Sequence, residues 1–189
     1  MKNMMFRTLG LACLVALLGG CGKKEDAPVA TAPPEAPDTS AMGAGPGGSN
    51  CGVRAEEALQ RINAARAAGR SCGGRYMPAA PPLQWDQQLY SAAFGHSSDM
   101  ARANYFEHVS PSGVTVRQRA SAARYKWRSL GENLSGGTRG IGDTVQNWLE
   151  SPDHCENLMD PKFGDVAVAC VAQPGTQWGT YWTMVLGRK

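Results

Sequence analysis

The side chains best suited to polar chemistry are three histidines, His96, His108 and His154, and two glutamates, Glu132 and Glu150. His108 sits in Tyr105-Phe106-Glu107-His108-Val109-Ser110-Pro111-Ser112-Gly113, and Glu132 in Gly131-Glu132-Asn133-Leu134. Glu150 and His154 share Trp148-Leu149-Glu150-Ser151-Pro152-Asp153-His154. His108, His154 and Glu132 could offer a divalent ion such as zinc two nitrogens and one oxygen, leaving a fourth position open. The ion could then polarise a carbonyl while Glu132 or Glu150 acted as general base. The plainer alternative is a direct hydrogen bond between His108 and Glu132, which satisfies both groups without an ion. These residues lie far apart along the chain, so their spacing is no local metal motif.

Ser110 could complete a Ser–His–Glu nucleophile with His108. Ser-Pro-Ser-Gly is also ordinary turn chemistry, and the turn is the favoured reading. His96 falls on an apolar helical stripe and is expected to be a core histidine bonded to backbone. Ser97 and Asp99 are expected to serve their helix locally. Asn133, Trp148 and Trp182 are expected beside the residues gathered around His108, Glu132 and His154, with Asn133 bonding backbone and the tryptophans core or wall.

Four helices and a hairpin must position these groups. Leu59, Ile62 and Ala65 share a face of a helix over 54–68, which Gly69 can stop. The stretch from Cys72 through the prolines at 78, 81 and 82 reads as a loop. Asp86 can cap a second helix running to about Asn104, with Leu89, Ala93, His96 and Met100 inward. Thr115 can cap a third through Ala123, with Val116 and Ala120 inward, and Asp143 a fourth carrying Val145, Trp148 and Leu149. Residues 127–134 are mixed and short. Ser151 can cap a further turn with Pro152 first, where its missing N–H costs nothing. Alternating strands over 165–171 and 181–186 are joined by a Gln-Pro-Gly-Thr turn. Helices first and a hairpin last make the class α+β.

Residues 1–20 carry Lys2 and Arg7 ahead of a short apolar run, the pattern of a signal peptide. The run ends in Leu18-Gly19-Gly20-Cys21, which resembles a bacterial lipobox and implies a lipid on Cys21 and, with Gly22 following, outer-membrane sorting in a cell that has one. Losing 1–20 lowers the net charge from +3 to +1, and no basic patch remains to argue for nucleic acid. Residues 21–50 comprise this cysteine and a Pro/Gly/Ala-rich tether, long enough to hold a domain on the order of 30 Å from its anchor. Residues 51–189 form one domain, expected to be a monomer; 42% hydrophobic and 19% charged content fits a globular chain. Cys51, Cys72, Cys155 and Cys170 read as two disulfides of an exported chain, with three pairings possible. Proximity favours Cys51–Cys72 and Cys155–Cys170, each closing a short loop worth about 3 kcal/mol in the chain-entropy account. The CxxC pairs of a four-cysteine metal site are absent.

Taken in order, Leu83-Gln84-Trp85-Asp86, His96-Ser97-Ser98-Asp99-Met100, Tyr105-Phe106-Glu107-His108, Gly131-Glu132-Asn133-Leu134, Trp148 to His154 and Tyr181-Trp182-Thr183 resemble the CAP superfamily (cysteine-rich secretory protein, antigen 5, pathogenesis-related 1) in its short bacterial form. The resemblance covers about residues 55–187. It implies a three-layer α-β-α sandwich with a mainly antiparallel sheet and a cleft where histidines and glutamates converge. His108 matches the first family histidine and Glu132 the first glutamate. Glu150 lies near the second glutamate, and His154 stands in for a histidine that larger members carry in the last strand, where this chain has Tyr181-Trp182-Thr183. The expectation is an envelope-anchored binding module for a lipid, glycan or protein, with a metal-assisted, peptidase-like hydrolase using His108, His154 and Glu132 as the alternative.

Overall fold

A computed structural model describes residues 49–189. The signal segment, Cys21 and nearly all of the tether lie outside the described residues. Twelve elements follow in order among the described residues: β1 (Ser49–Asn50), α1 (Ala55–Arg66), β2 (Arg70–Cys72), β3 (Arg75–Met77), β4 (Gln84–Trp85), α2 (Gln87–Ala103), α3 (Val116–Ala122), β5 (Ser129–Gly136), α4 (Ile141–Glu150), α5 (Pro152–Met159), β6 (Asp165–Ala172) and β7 (Thr180–Arg188).

Local chemistry sets the helix ends. The Asp86 side chain accepts from the Gln88 and Leu89 N–H groups to open α2, and Asn104 closes it in the left-handed region. Thr115 and Gln118 form a reciprocal capping box on α3. Pro152 opens α5. Gly140 is the N-cap of α4, so Asp143 sits within the first turn, where its charge meets the helix dipole, and is not the cap.

β6 and β7 form the spine of the sheet, antiparallel with Val168 opposite Met184 and Ala169 opposite Thr183. β5 joins the outer side of β7, antiparallel, with Glu132 opposite Val185. β1 pairs antiparallel and β4 parallel with the far side of β6. Val166, Val168, Cys170, Trp182, Met184 and Leu186 face α1, α4 and α5. Ala167, Ala169 and Val185 face α2 and α3. Helices cover both faces, so β6 is a continuous apolar run, and the α+β, three-layer arrangement is the observed one.

Several expectations need correction. The disulfides are Cys51–Cys170 and Cys72–Cys155, not Cys51–Cys72 and Cys155–Cys170. β1 pairs Asn50 with Val171, which carries Cys51 to Cys170. The β2–β3 hairpin replaces the expected loop and lays Gly73 against Pro152, which carries Cys72 to Cys155. Closed loops of 119 and 83 residues are worth about 4.5 kcal/mol or more each in the chain-entropy account, well above the short-loop figure. Residues 129–136 are a full strand. Trp148 and Trp182 are fully buried core residues, donating to the Leu134 and Thr138 carbonyls, and form no cleft wall.

Candidate functional site

Glu132 and Asn133 are neighbours on β5, so their side chains point to opposite faces of the sheet. Glu132 faces α2 and α3, and its side chain is 3% exposed. Its Oε1 accepts from His108 Nδ1 at 2.9 Å and its Oε2 from Arg119 Nη2 at 2.8 Å. Arg119 also donates to the His108 carbonyl at 3.0 Å and the Val114 carbonyl at 2.8 Å. His96, fully buried, brings Nε2 to 4.0 Å from Glu132 Oε1 and to 3.0 Å from the Glu107 carbonyl. It is the backbone-bonded core histidine expected, and it also borders the carboxylate.

Burial alone would raise the Glu132 carboxyl, but the His108 hydrogen bond and the Arg119 charge outweigh it and hold the group below the ordinary carboxylate range. The same hydrogen bond raises His108 against the opposing effect of burial. Desolvation lowers His96 to about 4, so its imidazole is neutral at pH 7. The result is an ionised carboxylate shared by a guanidinium and a half-exposed imidazole.

Asn133 points the other way. Its Nδ2 donates to the His154 carbonyl at 2.9 Å, and its Oδ1 accepts from Asn157 Nδ2 at 3.1 Å. These bonds tie α5 to β5. The Cys72–Cys155 bridge and the Arg75–Glu156 ion pair hold α5 from its other side. His154 is lowered from its ordinary value by burial and then by the charge on His108.

Glu150 does not join the cluster: it is exposed and accepts from Gln146 one turn back. Ser110 serves its turn, bonding Ser112 Oγ and accepting from the Val114 N–H. Asp99 works locally, accepting from Arg102 and Tyr105. Ser97 instead reaches the sheet, donating to Thr183 Oγ1 at 2.9 Å. The donor set suits an ion poorly, because both Glu132 oxygens are committed and the Arg119 guanidinium already balances the carboxylate charge. Among the described residues no three His, Cys, Asp or Glu side chains gather as a metal cradle.

Arg119 is the residue that sequence reasoning missed. Its signal was spacing: it lies three residues after Val116, a position expected to face inward on α3, and so shares that side of the helix.

The sequence profile of the cysteine-rich secretory protein family, CAP, matches residues 59–186. The uncharacterized protein YkwD of Bacillus subtilis is 31% identical over 97 residues, 51% of this chain and 37% of that protein. The uncharacterized membrane protein YlbC of the same organism is 33% identical over 86 residues, 46% of this chain and 25% of that protein. The chain thus spans well under half the length of these curated relatives. An extracellular SCP-domain protein of Bacillus anthracis has the same fold at a TM-score of 0.55 and 26% identity, over 71% of this chain and 41% of its own. An outer surface protein of Borrelia burgdorferi, at 17% identity, shares the fold alone, with a TM-score of 0.57 over 75% of this chain and 98% of its own. The profile covers most of the described residues, and the chain belongs to the cysteine-rich secretory protein (CAP) family.

Proposed function

We propose that this chain is an exported, envelope-anchored CAP-domain protein that binds rather than hydrolyses, its His108–Glu132 cleft receiving a lipid, glycan or protein ligand. The observation that carries this reading is the saturation of Glu132, with one oxygen on His108 and the other on Arg119. A carboxylate held ionised in this way is a poor proton acceptor, and Glu150 is bonded elsewhere, so neither glutamate serves as a general base for water. The metal-assisted hydrolase would need Glu132 to release Arg119.

What the cleft offers is His108. Its ring is 56% exposed and its Nδ1 is anchored on Glu132, which leaves Nε2 for a ligand, as a donor to carboxylate, phosphate or carbonyl oxygen when the ring is protonated, the form that Glu132 favours. The lipobox-like segment at Cys21, the two disulfides, and the extracellular SCP-domain protein among the structural relatives support export. A lipid on Cys21 and the 22–50 tether would keep the domain, a monomer with no nucleic-acid partner, close to the membrane.

The test uses the Cys21→Ser protein, free of its anchor, in co-sedimentation with purified peptidoglycan and with phosphatidylglycerol vesicles. Retention that weakens at least about 10-fold in His108→Ala supports the reading. Sustained cleavage of casein that disappears in Glu132→Gln contradicts it.

A further inference from the structure

Along β5, Glu132, Leu134 and Gly136 share one face, since alternate residues of a strand point the same way. At one end of that row His108 docks on Glu132. At the other, the Trp178 indole lies against Gly136: a Cβ there would come within 2.7–2.9 Å of Cγ, Cδ2 and Cε3, so the glycine leaves the room that the ring occupies. Four residues of strand span about 13 Å. Phe106 bridges the two ends, its ring centroid 5.1 Å from that of Trp178 and its place in the chain two residues before His108.

This row is open to solvent. Trp178 is 39% exposed, Val109 49% and the His108 side chain 56%. None of them lines the hollow between α2 and α3 or the one beside Cys51. An acyl chain needs walls on most sides, and an open surface supplies them on one. A sugar ring is apolar on its flat faces and polar round its rim, so it can stack on an exposed indole while its hydroxyls keep their water.

Charge is distributed to match. Residues 133–138 and 171–183 hold no charged side chain, which suits a neutral ring at the Trp178 end. At the other end Glu132, helped by the exposed Glu107, holds His108 towards its protonated form against burial and the Arg119 charge. A protonated imidazole donates most strongly to a carboxylate.

We propose that the surface from His108 to Trp178 binds a carboxylate-bearing oligosaccharide, one sugar ring stacked on the Trp178 indole beside Phe106 and a carboxylate further along the glycan accepting from His108 Nε2–H. This names the ligand class of the cleft proposed above and rests on that reading.

The experiment is NMR titration of the Cys21→Ser protein with two soluble probes. One is the peptide-free peptidoglycan tetrasaccharide of alternating N-acetylglucosamine and N-acetylmuramic acid. The other is N-acetylchitotetraose, the same backbone without the lactyl carboxylates. The tetrasaccharide should bind saturably and shift the Trp178 indole N–H, with chitotetraose at least about 5-fold weaker. Trp178→Leu, which removes the ring but keeps Gly136 covered, and His108→Ala should each weaken the tetrasaccharide at least about 5-fold, with circular dichroism verifying the fold. Phe106→Leu takes the place of Trp178→Leu if that variant does not fold. Loss in His108→Ala with full affinity in folded Trp178→Leu overturns the oligosaccharide surface and leaves the cleft reading standing. No saturable tetrasaccharide binding, equal binding of chitotetraose, or a Trp178 requirement confined to phosphatidylglycerol vesicles overturns it as well.

Discussion

Arg119 Nη2 and Glu132 Oε2 meet at 2.8 Å, although they lie on α3 and β5. The pair is almost wholly buried, and Arg119 spreads its guanidinium over three acceptors: Glu132, the His108 carbonyl and the Val114 carbonyl. It thus sets the position of the 108–114 segment as well as the charge of the cleft.

Removing Arg119 would leave Glu132 buried with only His108 as partner. Arg119→Ala should cost about 3–5 kcal/mol, the usual penalty for breaking a buried pair from one side. Arg119→Lys should recover little of it, because an ammonium cannot reproduce the fork. Urea denaturation measures both, and a loss below about 1 kcal/mol for the alanine variant would show the pair to be unimportant.

His96 should make the fold acid-sensitive. Its value in the folded chain is about 4 against an ordinary 6.5, so between those limits the unfolded chain takes up a proton that the folded chain refuses. Stability from this group is complete above 6.5 and is lost as pH falls towards 4, on the order of 3 kcal/mol in all. His154 is lowered in the same direction and adds to the slope. His96→Gln should flatten the urea-midpoint profile between pH 6.5 and 4; an unchanged slope would place the sensitivity elsewhere.

The disulfides give a chemical check on topology. Non-reducing digestion and mass spectrometry should recover Cys51 with Cys170 and Cys72 with Cys155. The double variant Cys72→Ser/Cys155→Ser should lose about 2–5 kcal/mol and loosen α5, which carries His154. Recovery of Cys51 joined to Cys72 would contradict the strand order.

Much of the fold was legible in the chain because its signals are local. The Asp86 and Thr115 caps, the Asn104 stop and the two-faced alternation of 166–171 each rest on residues within a few positions of one another. β5 was obscured because its centre, Glu132-Asn133, is polar and glycines flank it: those side chains are buried through long-range partners that no local pattern reveals. Cysteine pairing failed for the same reason, since nearness along the chain says nothing once β1 crosses to β6. Arg119 escaped because a basic residue on a short helix ordinarily reads as solvated. The tryptophans at 148 and 182 read equally as core or cleft wall from the sequence, and burial with their N–H groups satisfied inside the core decides between the two.

The account rests on Glu132 acting as a fixed counter-charge that holds His108, and not as a base. The most direct measurement is the titration of His108 by NMR in the native protein and in Glu132→Gln. The account predicts a value above the ordinary 6.5 in the native chain, falling below it in the variant, where burial and the uncompensated Arg119 charge both oppose protonation. A native value at or below 6.5, or one that Glu132→Gln leaves unmoved, would contradict it.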